Sequence, residues 1–317
     1  MADADPDFTW LPDLASRPLG GAVIWANDET FAEKENLITR EPATFRPATF
    51  GHKGQIYDGW ETRRRREPGH DEAIVRLGIP GVIGGVVVDT AFFTGNYPPE
   101  VSVEAIEVTG YPRRERLAED SGWTTIVERA KIAGDTRNPF PVASERRWTH
   151  VRLSIYPDGG VARLRVHGQA RPDRGVAGLD LAALENGGMV LDCSNRFYSS
   201  PANLISPGRA SVMGDGWETA RRRTDGNEWV HLRLAGRGVI RTAELDTSYF
   251  IGNSPGAARL SGRTEDGEWV EILPRTELLP DTRHRFTVHA ETPVDEARLD
   301  IYPDGGMARL RLYGELA

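Results

Sequence analysis

The sequence predicts an all-β protein built from two tandem jelly-roll β-sandwich repeats with a few short helices. Three observations carry this expectation. Long segments occur twice in the same order, β-branched and aromatic runs alternate with Gly- and Pro-rich turns, and helix signals are short.

The repeat is read directly. GGAVIWANDETFAEKENLI at 20–38 aligns with GGMVLDCSNRFYSSPANLI at 187–205, an offset of 167. DGWETRRRR at 58–66 returns as DGWETARRR at 215–223, an offset of 157, and DTAFFTGNYP at 89–98 matches DTSYFIGNSP at 246–255. RLSIYPDGGVARLRVHG at 152–168 matches RLDIYPDGGMARLRLYG at 298–314, with 13 of 17 letters identical. The falling offsets place two longer connections in the first copy, one between Ile38 and Asp58 and one between Pro98 and Arg152. QARPDRGVAG at 169–178 reads as a linker, which sets the repeats at 1–170 and 171–317.

Within each copy the elements follow from alternation and turn chemistry. Val151, Leu153 and Ile155 alternate with polar neighbours, and Tyr-Pro-Asp-Gly-Gly then makes a turn because Pro fixes φ and glycine allows φ > 0. After the turn Val161, Leu164 and Val166 face a core, while Arg163 and Arg165 are expected to face out. AIVRL and GVVVDTAFF are two further strands, rich in β-branched and aromatic residues. DLAAL reads as a short helix capped by Asp180 and stopped by Gly187-Gly188.

Composition narrows the function. Hydrophobic residues make up 39% and charged residues 27%, as in ordinary globular chains, and the net charge of −8 disfavours a nucleic-acid partner. The longest apolar stretch, IPGVIGGVVV, is about half a membrane span, so no membrane association is expected. MADADPDF carries no signal-peptide pattern and Cys193 is the single cysteine, so a cytoplasmic protein without disulfides is expected. CxxC, HxH, HExxH, GxSxG, P-loop and dinucleotide motifs are all missing from the sequence.

The twice-written polar segments hold the candidate site. Asp58 and Glu61 with their copies Asp215 and Glu218 are acceptors, Trp60 and Trp217 are large apolar plates, and Arg64, Arg65 and Arg221 can grip a carboxylate by paired hydrogen bonds. Asp89, Thr90 and Asn96 recur as Asp246, Thr247 and Asn253 just past a strand, where they either bind a ligand or form an Asx turn closed by Asn96. His70 lies beside Asp71 in the first copy only, as does His150 in THVRL. YPDGG is assigned to folding.

Together, DGWETRRRR followed by PGHD, VDTAFFTGNYP and RWTHVRLSIYPDGGVARLRVHG resemble the allantoicase (allantoate amidinohydrolase) family over nearly the whole chain. The resemblance implies two jelly-roll repeats, homo-oligomers, a place in purine degradation, and hydrolysis of allantoate to ureidoglycolate and urea. Allantoate carries a carboxylate and two ureido groups on one carbon, and urea leaves well only once protonated. On this expectation Asp58, Glu61, His70 and Asp89 serve as acid and base. Arg64 or Arg65 holds the carboxylate, and Trp60, Thr90 and Asn96, with Asp215, Glu218, Arg221, Asp246 and Asn253, hold the rest. Carboxylates are plentiful enough for a divalent ion such as Mn²⁺, but no ligand set is written in the sequence. The second copy lacks the GHD and THVRL patterns, which leaves open whether it has its own site, serves as scaffold, or lends residues to a shared one. Two rival readings are a tandem carbohydrate-binding module, since galactose-binding-like jelly rolls bind sugars on aromatic platforms, and an assembly protein whose repeated faces build a ring.

Overall fold

One 19-residue strand organises each unit. In the first, Asp71–Asp89 runs through both layers of a sandwich. Its first half pairs with Ala22–Ala26 on one side and Arg147–Tyr156 on the other. Its second half pairs with Arg137–Pro141 and Arg163–Ala170. The register against Arg147–Tyr156 jumps between Arg76 and Gly81, where Gly78, Pro80 and Gly81 let the strand bend from one layer into the other. Glu100–Ile106 and Thr124–Lys131 extend the first layer, and every pairing is antiparallel. AIVRL and the GVVVD of GVVVDTAFF therefore belong to one strand, not the two strands the sequence suggested, and residues 90–93 lie in the loop after it.

The computed structural model describes residues 6–172 and 178–317 and divides into units 1–173 and 174–317. In the second unit Glu228–Asp246 repeats the plan, flanked in its first half by Met189–Cys193 and Val294–Tyr302 and in its second by Arg283–Thr287 and Arg309–Leu316. The linker expected at 169–178 falls partly on residues outside those described. Among the described residues no helix is long and apolar enough to cross a membrane.

Alternation fills each sandwich. Leu153, Ile155, Val86, Val88, Leu164 and Val166 close the first core with Trp60 and Trp148. Leu299, Ile301, Leu245, Leu310 and Leu312 do so with Trp217 in the second. Burial of each such side chain contributes about 1.5–3 kcal/mol. The YPDGG turns carry a cis Tyr156–Pro157 and a cis Tyr302–Pro303 bond.

Two local expectations are overturned. DLAAL is not a helix: Leu181, Ala182 and Ala183 are all buried, which no single helix face allows. The Asp180 carboxylate instead accepts the N–H groups of Ala182 and Leu312, and only Leu184–Asn186 forms a 3-10 turn before Gly187 at φ +106°. Arg163 does not face out. It is 1% exposed and runs beneath the Asp58-Gly59 turn.

The longer connections of the first copy are local additions. The stretch between Ile38 and Asp58 holds a two-residue hairpin, Phe50–Gly51 with Gly54–Gln55. The stretch after Pro98 holds the helix Arg114–Glu119, whose Leu117 packs on Ile74 and Ile106 to make a small separate core.

His150 is a buried strand residue whose Nδ1 lies 2.9 Å from Thr149 Oγ1. Burial, reinforced by the charge of Arg76, lowers its pKa from 6.5 to about 3. Between those values the unfolded chain binds a proton that the native chain refuses, so stability is intact above pH 6.5 and falls as the solution is acidified through that window. The expected slope is about 1.4 kcal/mol per pH unit from this residue. Urea unfolding at about pH 7 and about pH 5 checks it, and His150→Gln should flatten that part of the pH dependence.

Candidate functional site

The two short edge pairings of the first unit create the candidate site. Trp60–Glu61 pairs with Gly160–Val161, so Glu61 lies opposite Gly160 beside the YPDGG turn. On its other side the Glu61 main chain bonds to Ala32, and its carbonyl accepts the N–H of Phe31. The loop after the long strand then closes over this edge. Asn96 accepts the Gly160 N–H with its carbonyl at 2.7 Å and donates its Nδ2 to Glu61 Oε1 at 2.7 Å. Only glycine fits at 160, because a Cβ there would meet the Phe93 ring at 2.1 Å.

The second unit repeats this geometry. Trp217–Glu218 pairs with Gly306–Met307, and Asn253 Nδ2 donates to Glu218 Oε1 at 2.7 Å. A glutamate fixed by an asparagine from the DTxxFxGN loop is thus common to both copies.

The copies differ in how the glutamate is enclosed. Glu61 is 8% exposed, and burial raises its pKa against the opposing pull of the Asn96 hydrogen bond. Glu218 is only half-buried. Around the first loop the longer connection supplies aromatic cover: Phe45 stacks on Tyr57 and Phe92, and Tyr57 stacks on Phe93. Phe92 itself sits at φ +68°, held by a hydrogen bond from its N–H to Asp135 Oδ1 at 2.7 Å. Tyr249 at φ +72° with Asp281 repeats that strained loop position.

Several expected site residues are engaged in contacts with the scaffold. Trp60 and Trp217 are 0% exposed, and their indole N–H groups donate to the carbonyls of Asp28 and Asn195, so neither offers a face to a ligand. Asp58 pairs with Arg163 at 2.7 Å and accepts the Thr44 N–H. Asp215 accepts the N–H groups of Ser211 and Val212, which lower its pKa. Asp89 and Asp246 accept the N–H groups of Ala91 and Ser248, so the Asx turn belongs to them and not to Asn96. Thr90 is buried, its hydroxyl donating to the Ala133 and Thr136 carbonyls, and Thr247 is held the same way. Arg65 grips Asp71 at 2.6 Å, as Arg222 grips Glu228.

Arg64 and Arg221 are exposed, and among the described residues neither makes an ion pair. His70 belongs to another cluster: its ring lies 4.9 Å from that of Tyr156 and its Nε2 is 3.4 Å from Glu72. Its contacts do not reach Glu61 or Asn96. Among the described residues no group of three or more His, Cys, Asp or Glu side chains converges to hold a metal ion.

Two pairs escaped the sequence reading. Asp28 and Arg63 form an ion pair at 3.1 Å beside Trp60 where the second copy has Asn195 and Ala220. The aligned repeats display that difference, and only the fold shows its proximity to Glu61. Arg163 and Arg309 lie under the two Asp-Gly turns, a role that strand alternation conceals.

Comparison with known proteins agrees with this duplicated architecture. The allantoicase repeat model matches residues 12–171 and again 179–317. A probable allantoicase of Nocardia farcinica is 66% identical over 314 residues, covering 98% of this chain and 95% of that protein. A probable allantoicase of Streptomyces coelicolor is 52% identical over 329 residues, covering 99% and 88%. The crystal structure of Saccharomyces cerevisiae allantoicase is 35% identical, covers 96% of this chain and 93% of that one, and superposes with a TM-score of 0.44. With both repeats matched along nearly their full length, the chain belongs to the allantoicase family.

Proposed function

We propose that the allantoicase reaction, hydrolysis of allantoate to ureidoglycolate and urea, proceeds in this chain at the Glu61–Asn96 pair of the first repeat. The observation that carries the reading is a buried carboxyl with one oxygen fixed by an amide donor. Asn96 engages Oε1, which leaves Oε2 as the oxygen that can take a proton. Burial raises the pKa of Glu61 and so favours the protonated form, and the Asn96 donor stabilises the carboxylate once the proton has left.

One residue then serves both halves of the reaction. The lone pair of the remaining ureido nitrogen expels the departing ureido group as the C–N bond breaks, and Glu61 delivers its proton to the leaving nitrogen, forming urea. Water adds to the resulting carbon–nitrogen double bond and gives a proton back to Glu61, which yields ureidoglycolate and restores the acid. Arg64, three residues along the same segment and without an ion pair among the described residues, takes the substrate carboxylate. The buried Trp60 and Trp217 remove the aromatic platform that a sugar-binding module would need.

Urea release from allantoate by the purified protein, with and without a chelator, tests the reaction and whether a metal takes part. Asn96→Ala supplies a sharper readout. Its hydrogen bond favours the ionised carboxyl, so its loss should move the alkaline limb of kcat to higher pH and lower kcat by about tenfold. An unchanged pH profile would remove Asn96 from the site.

A further inference from the structure

The repeats differ at one surface position in a way that leaves a guanidinium without its partner. In the first unit Arg129 lies over the Tyr156 ring, 4.1 Å from the centroid. Its Nε and Nη2 both donate to Glu100 Oε2, at 2.8 and 2.5 Å. Strand register identifies the counterparts. Glu100 pairs with both Tyr156 and Lys131, and Ala257 pairs with both Tyr302 and Glu277. Arg275 accordingly occupies the place of Arg129, 4.0 Å over the Tyr302 ring. Where the first repeat has a carboxylate the second has the methyl group of Ala257.

Among the described residues Arg275 makes no ion pair, and it borders an open cleft of about 680 Å³ lined also by Asn227, Ala257, Glu277 and Tyr302. We infer that this cleft binds a small ureido acid, its carboxylate taken by Arg275 as Glu100 is taken by Arg129. Stacking on Tyr302 restrains the guanidinium plane and leaves its N–H edge for a paired grip on a carboxylate. Asn227 commits its Nδ2 to the Glu228 carbonyl at 2.9 Å and to Asp300 Oδ1 at 2.8 Å, which fixes the amide and keeps its Oδ1 as an acceptor. A carboxylate bearing ureido N–H groups matches the Arg275 guanidinium and the Asn227 oxygen together. The choice of ureido acids within that class rests on the reaction proposed above; the cleft and its unpaired guanidinium do not.

The test is calorimetric titration of the full chain with N-carbamoylglycine, a ureido acid with a single ureido group, on wild type, Arg275→Met and Ala257→Glu. Ala257→Glu installs the first repeat's own carboxylate against Arg275, so it blocks the cleft with an arrangement the fold already accepts. The wild type should bind one more molecule per chain than either variant, with affinity at that site falling about 10- to 100-fold in both. Equal binding by all three, or no saturable binding by any, overturns the inference. Urea release from allantoate is scored separately: a chain that loses the extra molecule in Ala257→Glu yet never releases urea refutes the proposed reaction and keeps the cleft.

Discussion

Glu61→Gln is expected to leave a folded protein that releases urea from allantoate about 10²–10⁴-fold more slowly than the wild type. Glutamine matches glutamate in shape and still accepts the Asn96 Nδ2 hydrogen bond through its carbonyl oxygen, so the edge pairing with Gly160 is kept. It has no proton to give, and urea then departs as a poor leaving group. The pH dependence follows from the same residue. The acid works only while protonated, so wild-type kcat should be flat at low pH and decline as pH rises through the raised pKa of Glu61. Glu61→Gln should erase that decline together with most of the rate. Steady-state urea release across pH, with urea denaturation as a control for folding, measures both.

Arg163→Met is expected to destabilise the first repeat strongly, by about 3–5 kcal/mol. Arg163 is almost wholly buried and donates to the carbonyls of Glu41, Asp58 and Ala162 as well as to the Asp58 carboxylate. Methionine fills much of the same volume but leaves those acceptors without their buried donor. Arg163 also holds the Asp58-Gly59 turn from which Trp60 and Glu61 start, so kcat should fall with stability. The midpoint of urea denaturation reads the first effect, and activity below the transition reads the second.

The sequence carried the architecture because duplication and period-2 alternation are both local properties of the letters. Val151, Leu153 and Ile155 are buried as alternation requires, and the duplicated segments fall on corresponding elements of the two units. What it could not carry is which polar residues meet. Glu61 and Asn96 are separated by 35 positions and touch only because the DTAFFTGN loop folds over the Trp60–Glu61 edge. Arg163 reads as an outward residue by alternation, since nothing in the neighbouring letters reveals a turn lying above it. Trp60 reads equally well as platform or core, and the burial that decides between them comes from strands far along the chain. His70 enters the expected acid–base set through the family resemblance, whereas the long strand that begins at Asp71 leaves its ring against that of Tyr156.

The difference between the repeats gives the most direct test of the central claim that catalysis belongs to the enclosed glutamate of the first copy. Glu61→Gln and Glu218→Gln make the same chemical change at matched positions of the two Glu–Asn pairs. Side-by-side turnover of allantoate should show the first variant reduced by about 10²–10⁴-fold and the second within a few-fold of wild type. Collapse of activity in Glu218→Gln with Glu61→Gln still active would place the chemistry in the other repeat and contradict the account.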